Sequence, residues 1–180
     1  MVAVASRLLH SVGDSPDTPT HANMLEQTGR SGYFDLPKSV LKPGHLYGAA
    51  LPLLVAHTDE RERSIIFKSA HVTSLPKGVH IVQYKLLDAR ETTGRILLGS
   101  YLDGGKDDYR KYSDHSHASV VIHAAETAAY YPVVIFRVSE VPSTYAWMSG
   151  SDITYRVGGR TYQQVLTWKV AIGNPPGSQP

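Results

Sequence analysis

The chain has no cysteine, which rules out a disulfide framework and thiol chemistry and inclines the reading towards a reducing compartment. It also has no apolar run near the roughly 18 residues that a membrane helix requires. The best stretch, "LYGAALPLLVAH", is broken by Pro52 and ends at His57. A dominant charge is missing as well. Lys and Arg number 18 against 16 Asp and Glu, and a net charge of +2 is too small to mark a nucleic-acid protein by charge alone. Nine His residues would add positive charge only in acid. The opening "MVAVASRLLHSVGDS" carries one Arg ahead of a weak apolar stretch without an apolar centre, so it does not read as a secretory signal. Internal repeats and low-complexity segments are absent too.

What is there fits one domain with one core, since 180 residues can bury a sizeable interior. Residues 1–32 read as an irregular N-terminal arm: "GDSPDTPTHANMLEQTGRSG" is rich in turn formers, and "VASRLLHSV" before it has the makings of a small docking helix. With a single Arg, that helix would dock on its own body or on a neighbouring copy rather than on an anionic membrane. Residues 173–180, "GNPPGSQP", form a loose tail. The body, residues 33–172, holds short β-branched and aromatic runs punctuated by Gly, Pro, Asp and Ser, the pattern of an all-β fold. Strands are expected at 48–57, 63–73, 79–87, 94–101, 133–141, 152–157 and 162–172, with Gly158-Gly159 turning the last two into a hairpin. In "VHIVQYKLL", strict alternation puts Val79, Ile81, Gln83, Lys85 and Leu87 on one face and His80, Val82, Tyr84 and Leu86 on the other. The Ala-rich "HAAETAAYY" predicts a short helix from His123 to Tyr131, ended by Pro132. The expected architecture is an antiparallel, jelly-roll-like β-sandwich with one or two short helices.

Several segments carry side chains suited to chemistry. Asp114, His115, His117 and His123 in "YSDHSHASVVIH" are all metal-ligand types, and an extended 113–119 segment would point His115 and His117 the same way. No second ligand cluster at recognisable spacing completes the set, so a solvated loop end is the favoured reading and no metal is assigned. "HVT" at His71 to Thr73 and "HAS" at His117 to Ser119 would suit a phosphodiesterase if they faced each other, one His as base and the other as acid. Each tripeptide is common by chance. In "SYLDGGKDDYRKY", Lys106, Tyr109, Arg110, Lys111 and Tyr112 could follow a phosphate backbone while the rings stack on bases. Asp103, Asp107, Asp108 and Asp114 are interleaved with them and weaken the field. The Gly104-Gly105-Lys106 step lacks the spacing of a nucleotide-binding loop.

The run "SLPKGVHIVQYKLLDAR", followed by "LLGSY", "HAAETAAYY", "PVVIFRVSEV" and "WMSGSDITYRV", resembles the thirty-kilodalton superfamily of plant-virus movement proteins. That family is marked by Leu-x-Asp at a strand end, often followed by Arg, and by a glycine well downstream; Leu86, Asp88, Arg90 and Gly150 fill those positions. The resemblance implies a jelly-roll-like sandwich related to small capsid proteins. It also implies a non-enzymatic viral protein that self-associates and binds viral RNA or nucleoprotein weakly and without sequence preference. Its place would be the host-cell cytoplasm or the virion, with peripheral membrane contact and neither a cofactor nor a small-molecule substrate. Matrix proteins of plant rhabdoviruses are similarly compact, weakly basic and strand-rich, so a matrix or capsid-type shell protein stays open beside a movement protein, and a His-dependent phosphodiesterase behind both. In each viral reading Asp88 is expected to pin the turn after its strand, accepting backbone N–H groups or pairing with Arg90 or Arg95, and so to orient the charged loop beyond it.

Overall fold

A computed structural model describes residues 20–21, 24–27, 33–56, 62–92, 100–101, 109–123 and 129–173. Its strands are β1 (Thr20–His21), β2 (Leu25–Gln27), β3 (Tyr33–Leu36), β4 (Leu46–Ala50), β5 (Leu54–Ala56), β6 (Glu62–Ser74), β7 (Val79–Asp88), β8 (Ser100–Tyr101), β9 (Ser119–His123), β10 (Tyr130–Val138), β11 (Ala146–Val157) and β12 (Arg160–Ile172). Among the described residues, helix is confined to two single 3₁₀ turns, Lys38–Val40 and Tyr109–Lys111. None is long and apolar enough to cross a membrane.

The larger sheet runs β1-β12-β11-β6-β9, with β3 also on β12; the second runs β7-β10-β4-β8; β2 and β5 form a small ribbon. Pairing is antiparallel except where β1 and β3 join β12 in parallel. The fold is an all-β sandwich, and the chain passes directly between the two main sheets at β3 to β4, β6 to β7, β8 to β9, β9 to β10 and β10 to β11. Between the sheets lies a core that includes Ile65, Phe67, Leu86, Val134, Phe136, Ile153, Tyr155 and Trp168. A smaller cluster on the other side of the second sheet joins Leu87, Tyr131, Val133 and Ile135 to Tyr109, with Tyr112 packed against it. This second cluster explains why β10, "YYPVVIFRV", is apolar on both faces.

The β11–β12 hairpin turns at Gly158 and Gly159, both at positive φ (54° and 87°), the conformation of a tight type I′ turn. Strict alternation fails in β7. Gln83 pairs with Ile135 and Ile81 with Phe136, so Val82 is an inserted bulge residue. Beyond it the phase changes: Tyr84 and Leu86 pack with Val79 and Ile81 on the inter-sheet core, while Lys85 and Leu87 face the smaller cluster. The helix expected from His123 to Tyr131 does not form at its ends: His123 closes β9 and Tyr130 and Tyr131 open β10. Its middle, 124–128, lies outside the described residues. Sheet pairing at both ends has overridden the helix propensity of the Ala-rich run. The 152–157 strand also extends back to Ala146 through Gly150.

Within the expected arm, Thr20–His21 and Leu25–Gln27 are strands of the sheets. Leu25 is buried in the core, and the buried Gln164 side chain acts as a backbone surrogate towards it. Its Oε1 accepts from Leu25 N at 3.2 Å and from the Tyr155 hydroxyl at 3.0 Å, while its Nε2 donates to Leu25 O.

Candidate functional site

β7 ends where its core face runs out, and the chain turns at once. The Asp88 carboxylate, 6 % exposed, accepts from Arg90 N at 2.8 Å through Oδ1, forming an Asx turn. Arg90 Nε donates to Oδ1 and Oδ2 at 2.9 and 3.0 Å, and Nη2 also reaches Oδ2. The Arg90 side-chain hydrogen bonds hold Asp88 below the usual carboxylate range, opposed by burial and assisted by the Arg90 N–H and by the charges of Arg90 and His115. Asp88 in turn raises Arg90 further above its ordinary value. Two more turns follow, Glu91 N to Asp88 O at 3.1 Å and Thr92 N to Ala89 O at 3.2 Å. Beneath them the Tyr131 hydroxyl donates to Thr92 Oγ1 at 3.3 Å, and burial pushes the Tyr131 phenol up.

Residues 109–116 are laced to the same strand end. Leu86 N donates to Asp114 Oδ1 at 3.1 Å, and Ser116 N donates to the same oxygen at 2.9 Å. His115 N donates to Leu86 O at 2.9 Å, its Nε2 lies 2.9 Å from Glu91 Oε1, and its ring meets Tyr130 edge-on at 5.7 Å. Lys85, 6 % exposed, donates from Nζ to Tyr109 O at 3.4 Å and to Tyr112 O at 3.2 Å. A cation shared by the carbonyl of the first residue of the 3₁₀ turn and that of the residue just past it ties the turn to β7. Both carboxylates here accept from N–H groups that fix local backbone, so the arrangement is built to brace two loops against one strand end.

Leu86 is fully buried in the core, and Asp88 and Arg90 are joined as just described. Arg95 and Lys106 lie outside the described residues. Gly150 sits apart from them, in the larger sheet. Its φ is +67°, it marks a bulge where Ser149 pairs with Lys169 but Ser151 with Leu166, and a Cβ there would collide with Thr73 Oγ1. Thr73 Oγ1 donates to Ser149 O at 2.9 Å, so glycine is required by backbone and neighbour together. Tyr109 is 0 % exposed, so its ring is an anchor in the core and is not offered to a base. Tyr112 is half-buried, and Arg110 and Lys111 are exposed.

Asp114 and His115 are engaged as above, His117 is exposed, and His123 ends β9; among the described residues no three His, Asp or Glu side chains gather as a ligand set. His71 stands on the solvent face of β6 opposite Asp152, whereas His117 lies in the turn before β9 beside a cleft that His71 does not line. Lys85, Glu91 and Thr92 escaped the reading from sequence. The signal for Lys85 was present, a lone cation between Tyr84 and Leu86 in an apolar strand; Glu91 and Thr92 look like any turn residues. Neither a protein-family model nor a curated protein matches the chain.

Proposed function

We propose that this protein works by binding and assembly and not by catalysis: a self-associating viral protein that engages RNA or nucleoprotein through many weak contacts, with transport of a viral genome between host cells as its role. The observation that carries this reading is the braced turn at Tyr109–Lys111. Tyr109 is sunk in the smaller cluster and Lys85 holds the carbonyls of Tyr109 and Tyr112, while Lys111 is exposed and Arg110, also exposed, keeps contacts of its own. Cations on a rigid base lose less conformational entropy on meeting phosphate than cations on a free loop. The viral context rests on the resemblance carried by Leu86, Asp88, Arg90 and Gly150.

Anisotropy with two unrelated single-stranded RNAs at two salt concentrations tests the reading. Binding should be weak, equal for both sequences and strongly reduced by salt. Each phosphate contact to a single strand contributes about 0.7 to the log–log salt slope, so Arg110→Gln with Lys111→Gln should lower it by about 1.4. Absence of binding at low salt, or tight binding that survives high salt, contradicts it. A second reading, a matrix or capsid-type shell protein, is favoured by Ile66 and Val121, exposed diagonal neighbours on the solvent face of β6 and β9. Loss of oligomers in light scattering on Ile66→Lys with Val121→Lys, with RNA binding intact, would favour that role.

A further inference from the structure

A cleft of about 250 Å³ opens between β6, β7 and the turn in which Ala118 N donates to His115 O. β9 covers β6 only from Glu62 to Ile66, and the cleft begins at the next residue, Phe67. Both wall strands carry an inserted residue here. In β6, Phe67 pairs with Tyr155 and Ser69 with Thr154, leaving Lys68 as the bulge. In β7 the Val82 bulge turns Tyr84 towards the inter-sheet side. Bulges end pairing and re-aim side chains, and they concentrate beside functional sites.

The lining divides by chemistry. Phe67 and the Tyr84 ring form an aromatic wall, while Lys68, Ser69, Ser116 and His117 supply two basic side chains and two hydroxyls. Among the described residues, no carboxylate lines the cleft. The Tyr84 hydroxyl is buried beside the Ser151 side chain, which is not part of the cleft lining, so Tyr84 contributes its ring to the wall. The volume is below the roughly 300–1,000 Å³ of pockets that take drug-sized ligands, and suits one planar group. Aromatic wall, hydroxyls and uncompensated positive charge together match a base with its phosphate.

We propose that this cleft takes a nucleoside monophosphate group supplied by a single-stranded nucleic acid, its base against Tyr84 and its phosphate at Lys68 and His117. The inference rests on the nucleic-acid reading above and adds to it a second contact, distinct from Arg110 and Lys111.

The test titrates the full chain with uridine 5′-monophosphate, uridine, inorganic phosphate and octanoate, following backbone amide signals by NMR. The monophosphate should shift Lys68, Ser69, Ser116 and His117 saturably, with uridine and phosphate each on the order of tenfold weaker. Lys68→Ala and His117→Ala alter exposed side chains, so they should weaken the monophosphate several-fold without moving the melting temperature. Shifts that miss the cleft, shifts unaltered by both variants, or tighter binding of octanoate would overturn the proposal. RNA anisotropy separates the two claims. RNA bound equally by wild type and Lys68→Ala/His117→Ala overturns the cleft inference and leaves the Arg110–Lys111 reading standing. Monophosphate bound in the cleft by a protein that binds no RNA overturns that reading and makes free nucleotide the source.

Discussion

Replacing Asp88 by Ala removes the acceptor for the Arg90 N–H and for the Arg90 guanidinium in one step. The carboxylate is buried and its main-chain partner sits in a tight turn, so the loss should cost about 1–3 kcal/mol. The guanidinium adds little to this, because Arg90 is 71 % exposed and water replaces its partner. At about 2–4 °C per kcal/mol for a chain of this size, the melting temperature should fall by about 2 to 12 °C. Asp88→Asn keeps an oxygen for the Arg90 N–H and should lose less. The two variants also differ from wild type in pH dependence. Asp88 is held below the usual carboxylate range in the folded state, so its ionised form favours folding. That contribution is complete above the unfolded value of about 3.9 and disappears as pH falls through the lower folded value. Circular-dichroism melts should therefore show a gap between wild type and Asp88→Asn that is constant near neutrality and closes in acid. A melting temperature unmoved by Asp88→Ala at pH 7, or a gap that persists in strong acid, would refute a bracing role for this carboxylate.

Gly150→Ala should destabilise by about 2–3 kcal/mol, since it combines a left-handed backbone with the loss of the Thr73 hydrogen bond; in a Thr73→Ala background the further cost should be smaller, and additivity in urea melts would exclude the collision. Gln164→Leu removes the side chain that pairs with both Leu25 backbone groups and accepts from the Tyr155 hydroxyl, and should cost about 2–4 kcal/mol. Hydrogen exchange at Leu25 N should then accelerate far more than exchange in β10, and unchanged protection at Leu25 would show that other contacts hold the N-terminal strand.

Alternation and turn chemistry act over a few residues, so the β class, the long strands β6, β7 and β12, and the Gly158-Gly159 turn are legible in the sequence alone. The pairing of Asp88 with Arg90 is legible for the same reason, because the partners stand two residues apart. Sequence also marks Gln164 as odd, a polar residue in phase with Leu166, Trp168 and Val170, without naming what it holds. The rest depends on contacts distant in the chain. Bulges at Lys68, Val82 and Gly150 exist only against a neighbouring strand, yet each changes which face the following residues occupy. Strand pairing claimed the ends of the Ala-rich 123–131 run although its local propensity favours helix. Burial of Tyr109 under Lys85, and of Leu25 against Gln164, joins segments separated by 24 and 139 residues. No local pattern encodes such partners, because the free energy that selects them comes from desolvation and hydrogen bonding across the assembled sandwich.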